Sequence, residues 1–373
     1  MRRPSIVLLG LIVGCAGSSS ASQDAPTGEK RLLYVASPGI RNYLQWGGAG
    51  ILVYDIDRGH SLVKRIPVSY DDEQDTPGKA PENVKGICAS AKTKRLYVST
   101  LTRLACIDLL GEKLLWVRRY EGGCDRMSMT PDGKKIYLPT LEKDDWHVVD
   151  AETGGVLTKI SPKSGAHNTV MGLDGRKVYL AGLKSPLLRV VDTKTDQVVS
   201  EISFGASVRP FTVNGSQTLA YVNVNDLLGF EIGDLRTGKL LHRLEVPGYQ
   251  KGPVKRHGCP SHGIGLTPDE REVWVVDGFN KAVHIFDNTV MPPKYLQTIE
   301  HLIDDPGWVT FTVRGDYAYP STGEVIDSRT KKTLIHLKDE QGRDVQSEKM
   351  VEIDWAGQEP VRNGDQFGLG RVR

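Results

Sequence analysis

Five polar or ionisable side chains recur along the chain at intervals that suggest a repeated structural unit. They are Lys85, Asp125, His167, Arg209 and His262, spaced by 40, 42, 42 and 53 residues. Each lies twelve residues before an aromatic residue in a short apolar segment, as Gly307 does in the last repeat. The positions one residue later include Arg126, Asn168 and Trp308. Equivalent positions of a closed repeat form a ring, so we expect these side chains to meet at one opening.

The charges of this set favour an anionic ligand. Lys85, Arg126 and Arg209 are cations, against the single carboxylate of Asp125 at these positions. An arginine can hold a carboxylate through two parallel hydrogen bonds, and a histidine adds positive charge below about pH 6.5. We therefore predict that a small anionic or polar, sugar-like compound is bound by Lys85, Arg126, Asn168, Arg209 and Trp308.

Two residues of the set also suit general-base catalysis. Asp125 and His167 belong to neighbouring repeats, and a carboxylate that orients an imidazole prepares it to accept a proton. His262 is the third catalytic candidate, with Arg209 holding the substrate. The sequence contains no Gly-x-Ser-x-Gly, His-Glu-x-x-His or phosphate-loop motif, so no particular reaction is indicated.

A metal site is a further interpretation of the same region. Cys259 and His262 have Cys-x-x-His spacing, His257 lies two residues before the cysteine, and His167 comes from another repeat. Sulfur and imidazole ligands together suit zinc or copper. There is no second matched pair, so the sequence allows a divalent metal but requires no cofactor.

Seven strand signals, each centred on an aromatic residue, would position these side chains. The aromatic residues are Tyr34, Tyr97, Tyr137, Tyr179, Tyr221, Trp274 and Tyr319. Four of the six intervals are 40–45 residues, the length of one four-stranded propeller blade. Turn signals such as Pro131-Asp132-Gly133 lie between the strands. We therefore predict an all-β seven-bladed propeller with four antiparallel strands per blade.

The repeat resembles the YVTN-type β-propeller repeat family, which includes YncE-like exported bacterial proteins. The resemblance rests on the Tyr-Val or Tyr-Leu strand, the Pro-Asp-Gly turn before it, and third strands that end as Val149-Asp150, Val191-Asp192 and Phe286-Asp287. It covers nearly all of residues 31–355 and implies a propeller fold and export. Pro320 departs from the pattern, and the Gly-His and Trp-Asp pairs that recur at fixed offsets in WD40 repeats are absent.

The two ends of the chain are predicted to close the ring together. No strand signal precedes Arg31, so the first blade lacks its innermost strand, and the last blade ends near Leu337. A segment near residues 350–355 can supply that strand and leave no open sheet edge. The propeller would span residues 31–355, followed by a C-terminal tail over 356–373.

Three long insertions are expected at the same face as the polar ring. They are Asn42–Gly48, Tyr70–Asn83 and Val246–Ser261. Long loops gathered on one face are typical of a binding surface. A partner protein at this face is therefore an alternative to a small ligand.

Residues 1–22 predict an export signal. Two arginines precede an apolar stretch, Ile6 to Val13, that is too short to span a bilayer. Cleavage before Cys15 would give a lipoprotein, whereas Ser20-Ala21-Ser22 suits an ordinary signal peptidase. Residues 23–30 would form a flexible tether. The expected location is the periplasm, the outer membrane through a lipid on Cys15, or the medium.

The charge balance argues against two classes of partner. Lys and Arg number 48 and Asp and Glu 46, so the net charge is +2 and indicates neither nucleic acid nor an anionic membrane surface. We expect a monomer whose only membrane contact is a lipid anchor.

Three functions follow, in this order. The first is an exported, non-catalytic propeller that binds a small ligand or a partner protein. The second is a lactonase-like hydrolase or a lyase that uses Asp125, His167 and His262, because propeller enzymes of these classes use comparable clusters. The third is a metal-binding or redox protein that uses Cys259, His262 and His167.

Overall fold

The structure, a computed structural model, describes residue 1 and residues 29–68, 79–253, 258–300, 302–303 and 305–371. In these ranges the strands form seven antiparallel sheets, which confirms the predicted all-β seven-bladed propeller. The predicted signal peptide beyond Met1, with Cys15, and residues 23–28 of the predicted tether lie outside the described residues. Glu29 and Lys30, which the sequence assigned to the tether, instead begin the first strand.

The strands follow the chain from blade to blade. Blade one begins with β1 (Glu29–Ser37), β2 (Gly50–Asp55) and β3 (Ser61–Ile66), with a 3-10 turn at Ile56–Arg58. Blades two to four contain β4 (Val84–Ser90), β5 (Arg95–Thr100), β6 (Arg103–Asp108), β7 (Lys113–Arg119), β8 (Ser128–Met129), β9 (Lys135–Pro139), β10 (Trp146–Asp150), β11 (Val156–Ile160), β12 (Ala166–Met171), β13 (Lys177–Gly182), β14 (Leu187–Asp192) and β15 (Gln197–Ser203). Blades five to seven contain β16 (Val208–Val213), β17 (Leu219–Val224), β18 (Gly229–Asp234), β19 (Lys239–Glu245), β20 (Ser261–Leu266), β21 (Glu272–Asp277), β22 (Ala282–Asp287), β23 (Lys294–Ile299), β24 (Val309–Phe311), β25 (Tyr317–Pro320), β26 (Glu324–Asp327) and β27 (Thr333–His336). The last two strands are β28 (Met350–Ala356) and β29 (Glu359–Asn363).

Each blade buries its inner strands and exposes its outermost one. In blade five, β16 and β18 are buried throughout, whereas most residues of β19 are exposed or half-buried. The inner strands pack against neighbouring blades on both faces, which explains their nearly continuous apolar sequences. None of the helices in the described part of the chain has the length and apolarity needed to cross a membrane.

The predicted turns use aspartate as expected. In the turn after β10, one carboxylate oxygen of Asp150 accepts the backbone N–H groups of Glu152 and Thr153 at 3.0 and 2.8 Å. Gly154 then adopts a φ of +74°, a backbone conformation that glycine reaches without a steric penalty.

The aromatic residues that mark the repeat are buried and connect each blade to the next. Five tyrosine hydroxyls reach a group in the following blade. The pairs are Tyr97 with Ala151 O (2.9 Å), Tyr137 with Asp196 Oδ1 (2.5 Å), Tyr179 with Gln217 Oε1 (3.1 Å), Tyr221 with Asn288 Oδ1 (3.0 Å) and Tyr319 with His60 Nε2 (2.8 Å). These tyrosine bridges hold neighbouring blades together close to the ends of their strands.

The predicted closure of the ring is confirmed. The closing strand, β28, pairs antiparallel with β1, and Val351 lies opposite Tyr34. Ser347 donates its hydroxyl to Ala36 O at 2.7 Å, although the two residues are 311 positions apart. β28 thus takes the inner-strand place that the first repeat leaves open.

Residues 356–371 of the predicted C-terminal tail belong to the propeller, which corrects the sequence prediction. β29 pairs with β28 and makes blade one a five-stranded sheet. Residues 364–371, the C-terminal segment, then cross the central channel near the last residues of the inner strands. Gly368 O accepts the N–H of Leu266 at 2.8 Å, and Gly370 N donates to Val213 O at 3.2 Å. We call this end of the channel the floor.

Candidate functional site

The predicted polar ring lies at the channel end opposite the floor. In every blade, one residue of the inner strand pairs with the aromatic residue of the repeat. The ring position lies three residues before that inner-strand residue. In blade four, His167 lies three residues before Val170, which pairs with Tyr179. The other pairs are Cys88 with Tyr97, Ser128 with Tyr137, Thr212 with Tyr221, Gly265 with Trp274, Thr310 with Tyr319 and Val351 with Tyr34. The ring, here called the channel mouth, therefore comprises Glu348, Lys85, Asp125, His167, Arg209, His262 and Gly307.

Sequence reasoning missed two residues of the channel mouth. Glu348 occupies the ring position of blade one. Lys349, one residue later, is equivalent to Arg126 in blade three and Asn168 in blade four. The register that located the other blades would also have located these two, if it had been applied to the predicted closing strand. Blade one escapes a reading along the chain because its inner strand comes from the other end of the sequence.

Asp125 and His167 form the most closely connected pair of the mouth. The fully buried Asp125 carboxylate accepts a hydrogen bond from His167 Nδ1 at 2.5 Å and lies 3.6 Å from Lys85 Nζ. Burial would raise the pKa of Asp125, but His167, Lys85 and Arg126 lower it to about 2. Burial lowers the pKa of His167 against the opposing effect of Asp125, so at neutral pH a neutral imidazole faces an ionised carboxylate.

A second buried network surrounds Arg126. Its guanidinium forms an ion pair with Glu348 and stacks 3.6 Å above the ring of Trp308. Lys349 Nζ also contacts Glu348 at 3.0 Å and donates to Gly39 O at 2.8 Å. Burial, with the nearby charges of Arg126 and Lys85, lowers the pKa of Lys349 to about 7 although Glu348 opposes the shift.

Trp308 lies deeper than a surface binding residue. Its indole N–H donates to Gln366 O of the C-terminal segment at 2.5 Å, and Phe367 packs 5.9 Å from its ring. Only 2% of Trp308 is exposed, beneath the Arg126 guanidinium. The structure therefore places Trp308 between the channel mouth and the floor.

Arg209 and Asn168 are buried in the mouth with unsatisfied polar atoms. Arg209 is 1% exposed, and its Nε and Nη2 have no hydrogen-bond partner within the described ranges. The same holds for both amide atoms of Asn168 and for Nε2 of His167. These three residues belong to blades four and five, whose ring positions are adjacent. Buried polar atoms are almost always paired in native proteins, so this group requires an explanation.

The predicted metal ligands do not converge. The Cys259 thiol donates to Ser261 O at 2.8 Å, and burial raises its pKa to about 12. His262 directs Nδ1 towards Gly307 O at 3.3 Å, whereas His167 directs Nδ1 to Asp125. No three His, Cys, Asp or Glu side chains among the described residues are placed to hold a metal ion, and His257 lies outside those residues.

The loops of this face are described in part. Residues 42–48 lie between β1 and β2, but residues 69–78 and 254–257 of the other two insertions are outside the described part of the chain. The channel mouth is therefore the part of this face whose binding groups are described in full.

No protein-family model matches the chain, and no curated protein is significantly similar to it. The propeller seen in the structure is compatible with a propeller repeat family, while the YVTN-type resemblance stays a prediction from the sequence. Chemistry must therefore be argued from the channel mouth alone, since one propeller fold hosts many functions.

The mouth as a whole is cationic. Four basic side chains, including Lys349, surround the two carboxylates of Asp125 and Glu348. Both carboxylates already have basic partners, whereas Arg209 forms no ion pair with a carboxylate of the described residues. The arrangement can bind an anion, and the oriented His167 could also accept a proton from a bound molecule.

Proposed function

We propose that this protein is a non-catalytic binding propeller whose channel mouth takes a small carboxylate. The main support is Arg209. It is only 1% exposed, and its Nε and Nη2 have no hydrogen-bond partner among the described residues. These two nitrogens form one edge of the guanidinium and can donate two parallel hydrogen bonds to a carboxylate. The Cys259 thiol and the charge of Glu142 compensate the buried guanidinium in part, and a bound carboxylate would offset more of the cost of its burial.

Asn168 and His167 narrow the ligand class. The amide of Asn168 offers one acceptor and two donor hydrogens, and Nε2 of a neutral His167 offers one acceptor when Nδ1–H points to Asp125. Hydroxyl groups can satisfy both kinds of partner. A hydroxy acid or a sugar acid therefore fits these unsatisfied atoms better than an apolar carboxylate.

Thermal melts with matched ligands test the proposal. Sugar acids and C4–C6 hydroxy acids, each beside its neutral sugar or amide, are compared on the wild type, Arg209→Met and Arg176→Met. A carboxylate at about 100 times its Kd should stabilise the wild type by about 2.7 kcal/mol. Arg209→Met should remove that stabilisation, whereas Arg176, an exposed arginine in a turn of blade four, serves as the control.

Two results would contradict the proposal. One is equal stabilisation of the wild type and Arg209→Met by the same carboxylate. The other is the absence of any stabilisation of the wild type by the acids of the panel. If Arg209→Met does not melt cooperatively, Asn168→Ala is tested instead. This variant keeps the charge of Arg209 and should weaken the binding of hydroxy acids more than the binding of simple carboxylates.

The Asp125 and His167 pair favours a hydrolase or a lyase as the second candidate. Asp125 fixes the imidazole through Nδ1, and the lowered pKa of His167 keeps Nε2 unprotonated and able to act as a general base near neutral pH. Turnover of a lactone and ester panel, lost in both His167→Gln and Asp125→Asn, would support this reading. Turnover that survives both substitutions would exclude it.

Export and the lipid anchor complete the proposal. The basic, apolar and small-residue pattern of residues 1–22 supports cleavage and export, with Cys15 as the candidate lipid attachment site and a monomeric propeller outside the cytoplasm. Mass spectrometry of the mature N-terminus distinguishes a lipidated Cys15 from cleavage after Ala21 or Ser22. An intact Met1 on the mature protein would refute export.

A further inference from the structure

A well-defined cavity opens at the channel floor, away from the mouth. It has a volume of about 350 Å³ and lies between the last residues of β4, β8 and β12 and the C-terminal segment. Ligand pockets typically begin at about 300 Å³, and a cavity of about 150 Å³ already holds one benzene ring. The floor cavity is therefore large enough for a molecule of two fused rings.

The walls of the floor cavity are mostly apolar and rich in sulfur. The apolar wall residues include Cys88, Met127, Met129, Met171, Phe367 and Leu369. Methionine side chains are flexible and polarisable, and their sulfur atoms pack well against aromatic rings. This apolar part of the wall suits a flat aromatic or alicyclic molecule, while Lys92, Arg362, Asp365 and Arg371 line the rest of the cavity.

Gln366 supplies the polar group that orients such a molecule. It lines the cavity, is 1% exposed, and donates Nε2–H to Met127 O at 3.3 Å. Its Oε1 has no hydrogen-bond partner in the part of the chain that the structure describes. A buried amide oxygen left unpaired is destabilising, and a donor group on a ligand would offset that cost.

We propose that the floor cavity is a second binding site, for a small, largely apolar ring compound that carries one hydroxyl or N–H donor for Gln366 Oε1. The site shares no residue with the carboxylate site at the mouth. Trp308 lies between the two, with Arg126 on one side and the main chain of Gln366 on the other.

The test uses 2-naphthol and naphthalene as probes on the full-length protein. Calorimetry and 2-naphthol fluorescence should show one site on the wild type. Gln366→Met keeps the side-chain volume but removes the acceptor, so it should weaken 2-naphthol about tenfold and leave naphthalene unchanged, since a hydrogen bond contributes up to about 1.5 kcal/mol.

Two further variants separate binding in the cavity from binding elsewhere. Ala91→Phe places a ring where Ala91 lines the cavity and should abolish binding of both probes. Ser216→Phe makes the same addition in a turn at this face outside the cavity and should change nothing. Arg209→Met should also leave 2-naphthol binding intact, so a failure of the mouth proposal would not affect this test.

Three outcomes would overturn the proposal. They are no binding of 2-naphthol to the wild type at 1 mM, equal binding to the wild type and Ala91→Phe, or equal affinity of 2-naphthol for the wild type and Gln366→Met. If Gln366→Met does not fold, the comparison of Ala91→Phe with Ser216→Phe decides alone.

Discussion

Glu352, on the closing strand, is a buried carboxyl group outside the mouth whose pKa is strongly raised by its surroundings. It is 2% exposed, accepts the N–H of Val313 at 2.5 Å, and lies two residues before the fully buried Asp354. Burial, followed by the charge of Asp354, raises the pKa of Glu352 from its ordinary 4.5 to about 8. The folded protein therefore keeps a proton here that the unfolded chain releases.

The stability of the protein should depend on this proton. Between pH 4.5 and about 8 the folded state binds more protons at Glu352 than the unfolded state, so this residue lowers stability as the pH rises. Glu352→Gln mimics the protonated form, because its amide can still accept from Val313 and donate to Asp354. We expect the wild type to lose about 3 kcal/mol more than Glu352→Gln between pH 5.5 and 8.5 in urea unfolding.

The comparison with Glu352→Gln is needed because Lys349 acts in the opposite direction. Its pKa is lowered from 10.5 to about 7, so above pH 7 the folded state holds fewer protons there and stability rises with pH. The difference between the two proteins cancels this contribution. Parallel stability curves for the wild type and Glu352→Gln would show that Glu352 is not protonated in the folded state.

The residues of the channel mouth could be located from the sequence, but their contacts could not. The fixed register of the repeat makes Asp125 and His167 neighbours regardless of their side-chain conformations. In the structure the two side chains are hydrogen-bonded. The burial of Trp308 under Arg126 depends on the C-terminal segment, which has no counterpart in the other repeats. The unpaired Nε and Nη2 of Arg209 likewise result from side-chain packing, which the spacing of residues in the sequence does not reveal.

At the scale of elements, the tyrosine bridges should stabilise the contacts between blades. Tyr137 donates to the Asp196 carboxylate, and Tyr179 donates to the neutral amide of Gln217. Hydrogen bonds to charged groups contribute about 1.5–3 kcal/mol and neutral ones about 1 kcal/mol. We expect Tyr137→Phe to lower the free energy of unfolding by about 2 kcal/mol and Tyr179→Phe by about 1 kcal/mol, as measured by urea unfolding.

Asp196 also provides the control for this prediction. Lys135 Nζ contacts the other carboxylate oxygen of Asp196 at 2.8 Å, so the charge stays paired in Tyr137→Phe. Tyr137→Phe and Asp196→Asn should therefore be less than additive when combined. Full additivity, or a Tyr137→Phe variant as stable as the wild type, would mean that the hydroxyl does not hold the blades together.

The strands of the blades were predictable because each repeat carries its own aromatic residue and turn signals. β29 and the C-terminal segment were not, for a physical reason. β29 buries only Pro360, so it shows no alternation, and the segment is held by main-chain bonds of Gly368 and Gly370 to two inner strands. Hydrogen bonds between main-chain atoms leave no periodic pattern of side chains in a sequence.

At the scale of the whole molecule, closure of the ring should decide whether the protein folds. A chain that stops at Gln346 lacks the closing strand and leaves the edge of β1 unpaired. The total stability of a domain is typically only about 5–15 kcal/mol, so we expect loss of the cooperative thermal melt and association in size-exclusion chromatography. A cooperative melt at the wild-type temperature would refute the closure.

A chain that stops at Asn363 is the matched control. It keeps β28 and β29 but removes the C-terminal segment, with Phe367 and Leu369 that pack against the core. We expect a closed ring with a lower melting temperature, measured in the same experiment. The floor cavity would lose one wall, and so this shorter chain should not bind 2-naphthol.

The pairing of β1 with β28 also sets an order of events during synthesis from the N-terminus. Blades two to seven can each form as soon as their own four strands have emerged, whereas β1 waits for a partner from more than 300 residues later. Until then its edge is open to pairing with the wrong strand. An early stop codon or a protease cut between β27 and the closing strand would therefore leave six complete blades and an aggregation-prone first one.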